Sequence, residues 1–161
     1  MPQPPADRTV LLNALGPLLE RLIDVDTAAA GATDALNASI PLGGALLRPI
    51  EDLVRQGIEE GWLTPRGEPG VRFGRVAKPG QDSRGFSIDA VHMDRPGPEH
   101  THPKGEIDLC FALSGEPRFD GCPAGWLVLP PGSRHVPTVS GGEMAILYFL
   151  PDGAIEFHGL G

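Results

Sequence analysis

The sequence predicts a mainly β protein: an antiparallel barrel or jelly roll preceded by a short helical segment. Three observations point there. Gly and Pro are both abundant, 22 and 18 of 161 residues, which favours turns and short strands over a helix bundle. Beyond residue 65, short apolar runs alternate with turn residues and no helical pattern separates them. Before it, apolar residues recur at helical spacing. The length suits one domain with a real core. We read it as a helical segment, residues 1–65, packed on a barrel, residues 66–161.

In the helical segment, Leu11, Leu15, Leu18 and Leu22 share a face, with Leu12, Leu19 and Ile23 beside them, and Asp7 is placed to cap the first turn. The Ala/Gly/Thr-rich stretch from Thr27 to Thr33 reads as a linker. A second helix begins near Pro49, a residue suited to the first helical position. It carries Ile50, Leu53, Val54 and Ile58 on one side and ends at Gly61. Five strands follow, "VRFGRVA", "GFSIDAVHM", "IDLCFAL", "GWLVLP" and "MAILYFL", each bounded by Gly, Pro, Asp or Ser. There is no internal repeat.

A net charge of −8 makes nucleic acid or an anionic membrane an unnatural partner. A DNA-binding helical module is disfavoured for the same reason. Residues 1–65 hold four Arg and no Lys against nine Asp and Glu, leaving nothing to neutralise phosphates. No apolar run approaches the roughly 20 residues of a membrane span. The start "MPQPPADRTV" lacks the basic stretch and apolar core of a signal peptide. Cys110 and Cys122 form no disulfide framework and are expected as free thiols in a reducing cytoplasm.

The chemistry concentrates in "HTHPKGEIDLC", His100 to Cys110. Residues two apart in a strand point the same way, so His100 and His102 project together. After the turn "PKG" the chain re-enters a strand at Glu106. A metal ion fits between these strand ends, held by two imidazoles and a carboxylate. The fourth ligand is expected from "GWLVLPPGSRHVP", where His135 follows a Pro-Pro-Gly turn. Three imidazoles and a carboxylate suit Fe, Mn, Ni, Zn or Co as a divalent ion. If Glu106 faces the barrel interior, Asp108, Cys110 and Ala112 do too, while Ile107, Leu109, Phe111 and Leu113 face the other side. A lumen-facing Asp108 is either a partner that orients an imidazole N–H or a general acid/base. Cys110 is a candidate lining residue near substrate, and Arg75 and Arg134 are candidates to bind an anionic one. His92 and His158 are read as structural or incidental.

This pattern resembles the cupin superfamily. Its first motif is H-x-H, a short gap, Glu and later Gly, matched by His100, His102, Glu106 and Gly115 with a lengthened last gap. Its second motif is matched by Gly125, Pro130, Gly132 and His135, one residue short in the first gap. The resemblance implies a double-stranded β-helix barrel, with His100, His102, Glu106 and His135 as ligands of one divalent metal ion. A homodimer is expected because cupins commonly pair through barrel strands.

Within that superfamily the chain resembles the 4-hydroxylaminobenzoate lyases, through "HTHPKGEIDLC", "GWLVLPPGSRHVP", the ending "GGEMAILYFLPDGAIEF" and the helical "GIEEGWL" before the barrel. This similarity implies conversion of a 4-hydroxylamino aromatic acid to 3,4-dihydroxybenzoate with release of ammonia, Asp108 moving protons and an Arg holding the substrate carboxylate. Two other readings use the same ligands: an Fe(II) dioxygenase acting on a thiol or catechol-like compound, and a non-catalytic small-molecule-binding cupin. Oxygen consumption separates the first from a lyase, and failure to release ammonia marks the second.

Overall fold

The structure, a computed structural model, describes residues 7–158; residues 1–6 and 159–161, the outer ends of the two sequence segments, lie outside the described residues. Helix α1 spans Arg8–Leu22, and Asp7 caps it by accepting from the Val10 amide. Its Leu11, Leu15, Leu18, Leu19 and Leu22 are completely or almost completely buried, each stabilising by about 1.5–3 kcal/mol on removal from water. Helix α3, Arg48–Glu60, has Pro49 in its first turn and ends at Gly61 in the left-handed conformation (φ 86°), the usual glycine stop.

Between them lies a helix that composition hides. Where Ala, Gly and Thr suggested only a linker, α2 spans Ala32–Ser39. Its stability comes from what it covers rather than from propensity. The Asn37 amide oxygen accepts from the Trp126 backbone N–H, and its NH2 donates to the Trp126 carbonyl. The Thr33 hydroxyl accepts from the Val128 amide. These side chains occupy backbone groups of an edge strand that pairing leaves open.

The strands are β1 (Arg66–Glu68), β2 (Val71–Ala77), β3 (Phe86–Met93), β4 (His100–His102), β5 (Glu106–Phe119), β6 (Gly125–Leu129), β7 (Ser133–His135), β8 (Val139–Pro151) and β9 (Glu156–Phe157). They form two antiparallel sheets, a large one ordered β1-β2-β3-β8-β5-β6 and a small one ordered β7-β4-β9. The two β-strands expected around 107–113 and 144–150 are nearly doubled in length. Both run on through bulges that let them bend from one side of the barrel to the other.

Strand alternation divides the apolar residues into two cores. Ile107, Leu109, Phe111, Leu147 and Phe149 face the helices and merge with the leucines of α1 into one core. Cys110, Met144, Ile146 and Tyr148 face the barrel interior with Met93, Phe119 and Val139. The helices therefore share a core with the large sheet, and the small sheet closes the other side. The result is mainly β, a cupin-type barrel with N-terminal helices.

Candidate metal centre

The site is assembled by pairing and turns. Strand β4 pairs with β7 so that His100 lies opposite His135, and alternation puts His102 on the same face. The turn from β4 to β5 is tight: Gly105 has φ 87°, and its amide donates to the His102 carbonyl. A Cβ there would lie 2.4 Å from Thr27 Oγ1 and 2.9 Å from the Leu129 carbonyl oxygen, so both space and conformation demand glycine. The Pro-Pro-Gly turn docks on the same carbonyl through the Gly132 amide, at 2.7 Å.

Four donor atoms converge as a result. His135 Nε2 lies 3.0 Å from His100 Nε2 and 3.1 Å from His102 Nε2. Glu106 Oε2 is 3.0 Å from His102 Nε2 and 3.7 Å from His135 Nε2. All four ligand atoms fall within 4.8 Å of one another. Ligands bound to a metal at about 2.1 Å and set at right angles are about 3.0 Å apart, so the spacing fits a divalent ion. The polar balance fits as well. Glu106 is fully buried, yet neither carboxylate oxygen has a hydrogen-bond partner among the described residues. Its close approach to His102 is misaligned for a hydrogen bond. A buried carboxylate without donors is costly, and a cation at the point of convergence removes that cost.

The remaining ring nitrogens orient the imidazoles. His100 Nδ1 is 3.1 Å from the Pro98 carbonyl, to which it donates. His135 Nδ1 donates to Asp120 Oδ2 at 2.5 Å. Each bond keeps the proton on Nδ1 and leaves Nε2 with a lone pair for the centre. Charge follows. Burial raises the Glu106 carboxyl, but attraction to His102 and His135 outweighs it and holds the group down at about 2. Burial works to lower His135, yet the Asp120 and Glu106 carboxylates raise it to about 9. His100 is lowered by burial.

Asp108 lies on the interior face two residues beyond Glu106 and is fully buried, with neither oxygen hydrogen-bonded among the described residues. Burial, then the Glu106 charge, pushes its carboxyl well above the ordinary carboxylate range. In this structure it makes no contact that orients an imidazole N–H.

The other candidates are placed differently. Cys110 is 1 % exposed and belongs to a buried cluster with Phe119, Met144, Ile146 and Tyr148; it packs in the interior. Burial pushes its thiol well up. Arg134 adjoins His135 but pairs across the strands with Thr101, on the face opposite the histidines, and its guanidinium holds Glu99 at 2.7 Å. Adjacency in sequence means opposite faces in a strand, so Arg134 does not join the site. Arg75 pairs with Asp89, which pairs with Tyr148, which pairs with Asp108. It therefore stands on the interior face but three strands away, ion-paired to Asp89 at 3.0 Å. His92 bonds Glu143, and His158 bonds the Thr101 hydroxyl; both lie away from the centre.

The ligand cluster reaches solvent on the side of His135, whose side chain is 15 % exposed. Phe157, 61 % exposed, stands edge-on to His100 with ring centroids 5.7 Å apart. Phe157 and Asp120 were not singled out from sequence. The signal for Asp120 was the dipeptide Asp-Gly before Cys122, a hairpin-turn signature that gives no hint of a second role.

The family model described as PnbB, 4-hydroxylaminobenzoate lyase, matches residues 18–157. A 4-hydroxylaminobenzoate lyase of Nocardioides sp. (strain LMS-CY) is 32% identical over 157 residues, covering 91% of this chain and 92% of that one. One of Pseudomonas putida is 32% identical over 151 residues, covering 81% of this chain and 85% of the other. Among solved structures, an RmlC-like cupin protein of Ralstonia eutropha is 15% identical with a TM-score of 0.44, covering 62% of this chain and 67% of that one. On the family match and these two relatives, the chain belongs to the 4-hydroxylaminobenzoate lyase family, a family of enzymes.

Proposed function

We propose that the protein is a metal-dependent lyase that converts a 4-hydroxylaminobenzoate-like aromatic acid and one water to 3,4-dihydroxybenzoate and ammonia. The observation that carries this is the convergence of His100, His102 and His135 Nε2 with Glu106 Oε2 beside the buried carboxyl of Asp108, in a chain of that family.

His100, His102, Glu106 and His135 would hold a divalent ion, which would supply Lewis acidity at the site. Asp108, kept protonated by burial and by Glu106, donates that proton to the departing hydroxyl. The N–O bond breaks with its electron pair on oxygen, which leaves as water. The electron-poor ring then takes up a water at the carbon beside the C–N bond, leaving a non-aromatic hydroxy-imine, and a further water hydrolyses that imine and releases ammonia. Asp108, now a carboxylate, finally accepts the proton from the hydroxyl-bearing ring carbon as aromaticity returns. One water is consumed overall and no electrons leave the substrate, so dioxygen has no part. Phe157 offers an exposed ring to the aromatic substrate at the open side.

The test is metal analysis of the purified protein coupled to an anaerobic assay with 4-hydroxylaminobenzoate. Ammonia and 3,4-dihydroxybenzoate are expected in equal amounts without oxygen, and the double variant His102→Ala/His135→Ala is expected to be inactive. Strict oxygen dependence favours the dioxygenase reading instead, and full activity in the double variant sinks the metal mechanism. Asp108→Asn is expected to lower kcat by about 10²-fold or more while metal content stays unchanged. Normal turnover removes Asp108 from the acid/base role.

A further inference from the structure

Asp120 sits in a two-residue hairpin. Phe119 and Cys122 exchange both backbone hydrogen bonds, at 2.7 and 2.9 Å, around Asp120 (φ 49°) and Gly121 (φ 82°). Two successive left-handed residues are what a type I′ turn needs, and Asp-Gly satisfies it. A turn residue normally turns its side chain to water. Here both carboxylate oxygens are engaged. Oδ1 accepts from the Thr138 amide at 2.9 Å, while Oδ2 accepts from His135 Nδ1. The Asp120 amide in turn donates to the Thr138 carbonyl at 2.9 Å. The side chain is clamped from two directions and aimed at one ligand.

We infer that Asp120 is the positioning residue of the metal centre: it selects the His135 tautomer that presents an unprotonated Nε2, and it can do so only because both its oxygens are acceptors. This rests on the metal-centre reading of the four ligands and not on the identity of the substrate. Thr138 N–H is an obligatory backbone donor and keeps one oxygen. An imidazole, by contrast, changes tautomer at little cost. If Asp120 becomes Asn, the single carbonyl oxygen goes to Thr138 and the NH2 group faces His135. Nδ1 must then accept, its proton moves to Nε2, and the nitrogen aimed at the metal is blocked. The isosteric change is therefore worse than truncation. Asp120→Ala removes the selector but imposes no wrong tautomer.

The experiment is Zn(II) titration of the metal-free full chain against a competing chelator at alkaline pH, where His135 is already neutral and proton competition does not enter, for wild type, Asp120→Ala and Asp120→Asn. It is paired with 15N-resolved imidazole NMR at alkaline pH, where the neutral ring prevails. Because Asn-Gly deamidates readily, the mass of the Asn variant is checked at each measurement. Loss of a partner that orients a ligand costs about 10–100-fold in metal affinity, so the Ala variant is expected near the low end and the Asn variant at or beyond the high end. His135 is expected as the Nδ1–H tautomer in wild type and the Nε2–H tautomer in Asp120→Asn. Wild-type Zn(II) affinity in Asp120→Asn, or a greater loss in the Ala variant, overturns the inference. Should the Asn variant not fold, the wild-type spectrum decides: an Nε2–H tautomer there overturns it as well. None of these readouts depends on turnover, so an inactive enzyme on 4-hydroxylaminobenzoate leaves the inference standing.

Discussion

Metal binding and stability are expected to respond to pH in opposite directions, and His135 is the reason. In the metal-free protein the Asp120 and Glu106 carboxylates raise this imidazole from its ordinary value of 6.5 to about 9. The sign follows from linkage. A histidine whose folded value is raised stabilises the fold fully below 6.5 and loses that contribution as pH rises through about 9. Asp108, also raised, acts in the same direction from the ordinary carboxylate range upward. Glu106, lowered to about 2, contributes fully above its ordinary value and adds no slope in this window.

A metal, however, must displace the His135 proton. Below about pH 9 each pH unit should raise affinity about tenfold, giving about 100-fold between about pH 6.5 and about pH 8.5. The assay is calorimetric Zn(II) titration in two buffers of different ionisation enthalpy, with thermal melting of the metal-free protein over the same range. Release of about one proton per ion is expected near neutral pH, with a melting temperature that falls as pH rises. Asp120→Ala should shift the steep part of the affinity curve to lower pH, because the larger source of the elevation is gone. Affinity that is flat with pH in wild type, or a metal-free protein that grows more stable from pH 6.5 to 9, refutes the assignment of that charge to His135.

Three further changes probe other links. Arg134→Ala should leave the KM for a carboxylate-bearing substrate unchanged, since its guanidinium faces Glu99 on the far side of the small sheet; a tenfold rise in steady-state KM contradicts the strand facing described above. Trp126→Phe should lower stability by about 1–3 kcal/mol in denaturant titration, because the buried Ile40 carbonyl loses its indole N–H donor at 2.9 Å. Gly142→Ala should cost about 2–4 kcal/mol by the same measurement, a Cβ there lying 2.0 Å from the Ser114 carbonyl oxygen; a neutral result means the β5–β8 bulge relaxes freely.

Much of the site was legible because the candidate ligands at strand entries obey short-range rules. His-x-His fixes a common face, a glycine turn returns the chain at Glu106, and the Pro-Pro-Gly turn delivers His135. The leucines of α1 and the glycine stop of α3 were readable for similar reasons. What escaped depends on partners distant in sequence. Helix α2 has a composition that says linker, and its reason to be helical is the edge of β6, about 90 residues away in sequence. Asp120 carries no signal in the sequence beyond an Asp-Gly turn, because its second oxygen matters only once His135 is brought beside it. The opposite error befell Arg134, whose nearness to His135 suggested shared function although alternation separates neighbours. Cys110 had its facing right and its accessibility unread, since its burial depends on Phe119 and Val139, which lie beyond the β5 bulges at Ala112–Ser114 and Gly115–Arg118 and join it in one cluster.

That bent strand has a consequence for how the protein can change over time. Glu106, Asp108 and, just past its end, Asp120 hang on one ribbon whose facing is set by its pairing with β8. Deleting or inserting one residue before Asp108 would turn the whole inward set outward. Between the bulges the ladder already tolerates unpaired residues. Length variation in descendants of this chain should therefore be confined to the middle of β5, around Leu113–Pro117, whereas the stretch from Glu106 to Phe111 cannot change in number, and only its residues other than Glu106 and Asp108 can drift in side chain.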